Sequence, residues 1–109
     1  MAYIPQRGDI IWTDFDPSAG HEQANKRLAL VLSIEAFNHQ VKLALVAPIT
    51  SRIRGHGFEV KLVDIKTQGV VLCQQVKTID YVSRGADFIE QLPQTILNEV
   101  LAKVRAIVH

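Results

Sequence analysis

The runs LALVL (28–32) and VVLC (70–73) constrain this chain more than any other feature, because neither contains a charged or hydrogen-bonding polar side chain apart from the cysteine thiol. Side chains along a strand alternate between two faces, so a strand apolar at every position has to be covered on both sides. Each run is therefore predicted as a central strand of a strongly curved sheet. The segment FEVKL (58–62) alternates instead, as a strand with one solvated face does. With 109 residues, 48% of them hydrophobic, there is enough apolar material for one core and too little length for two domains of ordinary size. Residues 1–109 are expected to form a single domain.

Strands are predicted over 9–15, 28–33, 41–47, 58–62, 70–74 and 77–82, where β-branched and apolar residues concentrate. Pro17, Gly20, Gly55, Gly57, Gly69 and Gly85 fall between these runs, where they supply turns. Near the C-terminus the period changes. Ile96, Leu97, Val100, Leu101, Val104, Ile107 and Val108 recur at spacings of three and four, and Pro93 suits a first helical turn. SIEAFN (33–38) reads as a single helical turn with Ser33 as its N-cap. The predicted architecture is mainly β, a small antiparallel β-barrel with short helices and one C-terminal helix laid on the sheet.

A single cysteine, Cys73, has no partner for an internal disulfide, which suits a reducing compartment and makes the cytoplasm the expected location. No apolar run approaches the roughly 20 residues that cross a bilayer, and MAYIPQRGD has no charged leader followed by an apolar stretch, so no membrane partner is expected. The net charge of +1 leaves no global footprint of a nucleic-acid binder. Any such surface has to be local.

Two local cationic stretches exist. Between Glu35 and Glu59 there is no acidic residue, while Lys42, Arg52 and Arg54 fall there with His39 and His56, so TSRIRGHG (50–57) suits phosphate contact. The polar stretch GHEQANKRL (20–28) is wedged between two core-forming segments, and it places Lys26 and Arg27 at the start of a central strand. A guanidinium anchored at a strand end fits phosphate, because its planar fork meets two oxygens at once and stays charged. Thr50 and Ser51 close another predicted strand. If the two strands are neighbours, a hydroxyl and a guanidinium share one rim, which points to phosphoryl chemistry on RNA through its own 2′-hydroxyl.

The remaining candidates carry less. The four histidines are dispersed and no carboxylate cluster has ligand spacing, so no metal and no other cofactor is expected. Trp12 and Phe15 are expected in the core, as strand aromatics usually are, rather than stacked on bases. Cys73, buried in an apolar run, is not expected to be a nucleophile.

RGDIIWTDFDPSAGHEQANKR (7–27), followed by LALVLS, APIT and GVVLCQQVKTID, resembles the MazF/PemK family of toxin endoribonucleases nearly end to end. The resemblance implies an SH3-like, CcdB-type barrel that forms a homodimer and cuts single-stranded RNA without a metal ion. The implied products are a 2′,3′-cyclic phosphate and a 5′-hydroxyl. It also implies inhibition by a cognate MazE/PemI-like antitoxin whose disordered C-terminal segment covers the RNA groove, and DNA binding through that complex. By position, Arg27 and Thr50 match the family's catalytic pair. His21, Glu22, Gln23 and Lys26 fall in its loop over the active site, and Ser51, Arg52, Arg54 and Lys77 are the remaining expected RNA contacts. Two departures stand out: Asn25 lies where the family usually has Gly, and Leu28 replaces the usual proline. Without that proline, Arg27 is expected to be less rigidly held. The alternatives are a CcdB-like gyrase-binding toxin without nuclease activity and a non-catalytic RNA- or peptide-binding barrel.

Overall fold

The computed structural model describes residues 2–14, 26–53, 55 and 57–108. Among these, seven strands form one antiparallel sheet: β1 (Asp9–Asp14), β2 (Lys26–Val31), β3 (Ala44–Thr50), β4 (Glu59–Lys61), β5 (Val70–Leu72), β6 (Lys77–Ile79) and β7 (Ala86–Gln91). The strand path is β4-β5-β3-β2-β1-β7, with β6 pairing the first half of β3. Three helices accompany it: α1 (Glu35–Val41), α2 (Tyr81–Arg84) and α3 (Gln94–Val108). This is the mainly β, barrel-like fold with a closing helix that the sequence pattern predicts.

LALVL explains why the sheet needs two cores. Leu30 and Leu32, with half-buried Leu28, pack with Ile10, Ile49, Val60 and Val71 on one face, while Ala29 and Val31 pack with Ile11, Val46, Ile79 and Tyr81 on the other. The first core is closed by α3 through Ile96, Leu97 and Val100. Burying each such Val, Leu or Ile stabilises by about 1.5–3 kcal/mol, more than a helix cap at about 1 kcal/mol, so the two cores outweigh any local signal.

Several predicted boundaries move, each for a local reason. Ser33 does not cap α1: Ile34 holds that place without a side-chain bond, while the Ser33 hydroxyl donates to Asn38 Oδ1 and accepts from the Leu45 N–H. The predicted strand at 41–47 starts only at Ala44, because α1 runs on through Val41 and Lys42 adopts a left-handed φ of 62°. The strand predicted at 77–82 stops at Ile79, where Asp80 accepts hydrogen bonds from the Val82 and Ser83 N–H groups and starts α2. VVLC gives only three strand residues before a 3₁₀ turn over Cys73–Gln75. Pro93 directly precedes α3, and its carbonyl accepts from the Ile96 and Leu97 N–H groups. Strand β7 was not predicted at all. No described helix is long and apolar enough to cross a membrane.

Candidate active site

Strands β1 and β2 pair in register from Ile10 with Leu30 to Asp14 with Lys26, so the hairpin delivers Lys26 and Arg27 to the end of the sheet. Arg27 lies inside β2 opposite Thr13, which is buried and donates its hydroxyl to the Gly85 carbonyl at 2.6 Å. The ladder therefore holds the Arg27 backbone extended without a proline at position 28. Leu28, half-buried against the first core and opposite Trp12, anchors the next residue. The expected loosening at Leu28 is thus offset by strand pairing.

The last residue of β3 is Thr50. β2 and β3 pair antiparallel from Val31 with Val46 to Ala29 with Pro48, and Arg27 and Thr50 each lie two residues beyond that last pair. Side chains two apart along a strand share a face, so Arg27 and Thr50 both continue the face of Ala29 and Pro48, and both line one opening at that end of the sheet. On its other flank Thr50 pairs with Val70 of β5. Its Oγ1 accepts the Arg52 N–H at 3.2 Å, which leaves the hydroxyl proton available to donate and turns Ser51 and Arg52 toward the same opening.

That opening is a groove of about 710 Å³ walled by Trp12, Lys26, Arg27, Thr50, Ser51 and Arg52, with Gln68 and Gln75 at its margins. Its described lining holds three cations and no carboxylate. Such a surface attracts a polyanion, and amides with an aromatic face suit unpaired bases.

Of the expected site residues, Arg27, Thr50, Lys26, Ser51 and Arg52 come together here. His21, Glu22, Gln23 and Arg54 lie outside the described residues. Lys77 is not among the groove's lining: it is half-buried on β6 opposite Val46, four strand positions from Thr50, or roughly 13 Å at the usual rise. Trp12 corrects its sequence reading. It is 39% exposed and forms a groove wall rather than part of either core. Gln68 and Gln75 had not been singled out; each is an exposed amide beside a strand end, and no local pattern marks it.

Thr50 is also braced from behind. Gly69, at φ +124°, packs so closely that a Cβ there would sit 2.3 Å from the Thr50 carbonyl oxygen. Cys73 plays no part in the groove. It is buried, and loss of water pushes its thiol up to about 11, with Lys103 opposing only in part. Among the described residues no group of three or more His, Cys, Asp or Glu stands within reach of one metal ion.

Comparison with known proteins gives a consistent picture. Residues 6–108 match the family described as "PemK-like, MazF-like toxin of type II toxin-antitoxin system". The chain is 44% identical to endoribonuclease PemK of Escherichia coli over 107 residues, covering 94% of this chain and 80% of the relative. It is 39% identical to the endoribonuclease toxin MazF of E. coli K12, covering 97% and 96%. Among solved structures, MazF from Deinococcus radiodurans aligns with a TM-score of 0.88 at 39% identity over 98% of each chain. A MazE–MazF structure from the same organism aligns with a TM-score of 0.89, also at 39% identity, over 98% of this chain and 97% of that one.

Proposed function

The chain belongs to the PemK-like, MazF-like toxins of type II toxin–antitoxin systems, a family of endoribonucleases, and from that premise we propose how it cuts. The substrate is single-stranded RNA lying in the Lys26–Arg27–Arg52 groove, and the nucleophile is its own 2′-hydroxyl. The 2′-oxygen forms a bond to phosphorus as its proton passes to solvent water, and the bond from phosphorus to the 5′-oxygen breaks as that oxygen takes up a proton from water. The products are a 2′,3′-cyclic phosphate and a 5′-hydroxyl, with no metal ion required. Arg27 neutralises charge on the phosphoryl oxygens at the crowded phosphorus, and the Thr50 hydroxyl donates to the same group. A guanidinium is a poor base near neutrality, so its role is electrostatic rather than proton abstraction.

The observation that supports this reading is the groove whose described lining is cationic and holds no carboxylate, with Arg27 and Thr50 both in its wall. The same groove suits an acidic, partly apolar disordered segment of an antitoxin, which would exclude RNA by occupying its surface. MazE–MazF complexes of D. radiodurans support such a partner. A homodimer, with this chain as its single toxin domain, completes the reading. Exposed Phe88 and Ile89 on β7, at one end of the strand path, offer surface for it.

The test is incubation of purified protein with a long single-stranded RNA in excess EDTA, followed by end-group analysis. Fragments with 5′-hydroxyl and cyclic-phosphate ends are expected. Intact RNA, or fragments with 5′-phosphate ends, overturns the mechanism.

A further inference from the structure

Strand β7 carries one residue more than its partner requires. Ile11 pairs with Phe88, but Ile10 pairs with Glu90, so Ile89 is bulged out. In a regular strand, residues 88 and 90 would share a face. The bulge instead puts Phe88 on the face of Ile11, in the second core, and Glu90 on the face of Ile10, in the first. A bulge re-aims a side chain, and here it re-aims a carboxylate.

Glu90 is aimed at the segment joining β4 to β5, near the opposite end of the strand path. Its Oε2 accepts the Thr67 N–H and the Thr67 hydroxyl, both at 2.6 Å, and its Oε1 accepts the Lys66 N–H at 3.3 Å. Thr67 is buried. Two residues further on, the Gly69 carbonyl accepts the Leu62 N–H at 3.0 Å, and the Cα of Gly69 abuts the Thr50 carbonyl. Between them, Gln68 forms part of the groove margin.

We propose that Glu90 is a positioning residue for Thr50, acting through a strap from Thr67 to Gly69 that presses on the Thr50 backbone. The inference rests on the catalytic reading of Thr50. Without the carboxylate, two backbone N–H groups and the buried Thr67 hydroxyl lose their acceptor, and a segment with orphaned donors shifts to reach water. Gly69 moves with it, and the end of β3 loses its backstop. A glutamine at position 90 keeps an acceptor for both Thr67 bonds and loses only the longer one from Lys66, whereas an alanine keeps none.

The experiment measures steady-state cleavage of a short RNA by the full chain in wild type, Glu90→Ala, Glu90→Gln and Thr50→Ala, together with the Thr50 methyl resonance by NMR in wild type and the two Glu90 variants. Misplacement of a reacting group by about 1 Å costs up to about 100-fold, so Glu90→Ala is expected to lose about 10- to 100-fold in kcat with KM within about twofold. Its Thr50 methyl resonance is expected to move. Glu90→Gln is expected to restore both the resonance and most of kcat. Should Glu90→Ala not fold, Thr67→Val, which deletes one strap bond and keeps the side-chain shape, is expected to show a smaller loss in kcat alone. A Glu90→Ala protein with wild-type kcat and an unmoved resonance, while Thr50→Ala is inactive, overturns the role of Glu90 only. Equal losses in Glu90→Ala and Glu90→Gln with a raised KM overturn it too, because they assign the carboxylate's charge to substrate binding. A Thr50→Ala protein that cuts at the wild-type rate overturns the catalytic reading and this role with it.

Discussion

Replacing Gly69 by alanine should damage stability and cleavage together, and the structure gives the size of both effects. The residue sits at φ +124°, where L-residues are rarely found, and its added Cβ would lie 2.3 Å from the Thr50 carbonyl oxygen and 2.9 Å from the carbonyl carbon. Left-handed backbone strain costs about 1–2 kcal/mol and a forced overpacked contact about 1–3 kcal/mol, together about 3 kcal/mol. At about 4 °C of melting temperature per kcal/mol for a domain of this size, the expected fall is about 12 °C. Relief requires the end of β3 to retreat by about 1 Å toward an ordinary contact distance, and such a shift of Thr50 costs up to about 100-fold in rate. The assay is a thermal melt by circular dichroism beside cleavage of a fluorogenic RNA, both compared with Gly55→Ala. Gly55 also has a positive φ, +83°, but a Cβ there meets nothing within 4 Å, so only the strain of about 1 kcal/mol applies. If Gly69→Ala melts within about 4 °C of wild type and cuts at an undiminished rate, the bracing of Thr50 by Gly69 is refuted.

Trp12→Ala should raise KM for RNA about tenfold, the loss of one base-stacking contact at about 1–3 kcal/mol, while the melting temperature moves by only a few degrees because the ring lies in neither core. An unchanged KM by initial-rate measurement would return Trp12 to a packing role. Burial works against the charged form of Glu90, yet the bonds from Thr67 and Lys66 and the Lys66 charge outweigh it and hold its carboxyl below the usual range. A lowered folded value stabilises above the ordinary glutamate range near ~4.3, and that stability is lost as pH falls through the lowered value. Urea midpoints for wild type and Glu90→Gln should accordingly differ at pH 7, and the gap should narrow as pH falls below the ordinary glutamate range; a gap independent of pH contradicts the strap's charge contribution. Cys73, buried with its thiol pushed up to about 11, should react with a maleimide at pH 7.5 only after denaturant is added. Rapid labelling of the folded protein would show that this core opens readily.

The parts of the fold legible in the sequence are those written in apolar pattern. LALVL announced a strand covered on both faces, and its side chains do divide between the two cores. FEVKL announced a strand with one wet face, and Val60 is buried between half-buried Glu59 and exposed Lys61. β7 was invisible because ADFIEQ has no fully buried position. Its pairing with β1 and the bulge at Ile89 specify it, and neither leaves a hydrophobic period. In the site, the nearness of Arg27 and Thr50 to one groove was legible as two polar residues at the ends of two apolar strands. Trp12 was not, since it lies in DIIWTD between buried Ile11 and buried Thr13, and nothing local shows that its face of the strand opens to solvent there. Gly69 read only as a turn. Its closeness to Thr50 depends on strand order, which a single sequence does not display.

The claim on which everything else depends is that Arg27 and Thr50 act together on one phosphate. It is tested most directly by the single-turnover cleavage rate of a short substrate with one scissile ribonucleotide, measured in EDTA for wild type, Arg27→Ala, Thr50→Ala and the double variant, each confirmed folded by circular dichroism. Each single change should cost about 10²- to 10³-fold, as removal of a preorganised charge-stabilising group does. The double variant should be little worse than the poorer single one, because groups that act as a unit are not additive. Cleavage within about threefold of wild type in either single variant would contradict the account.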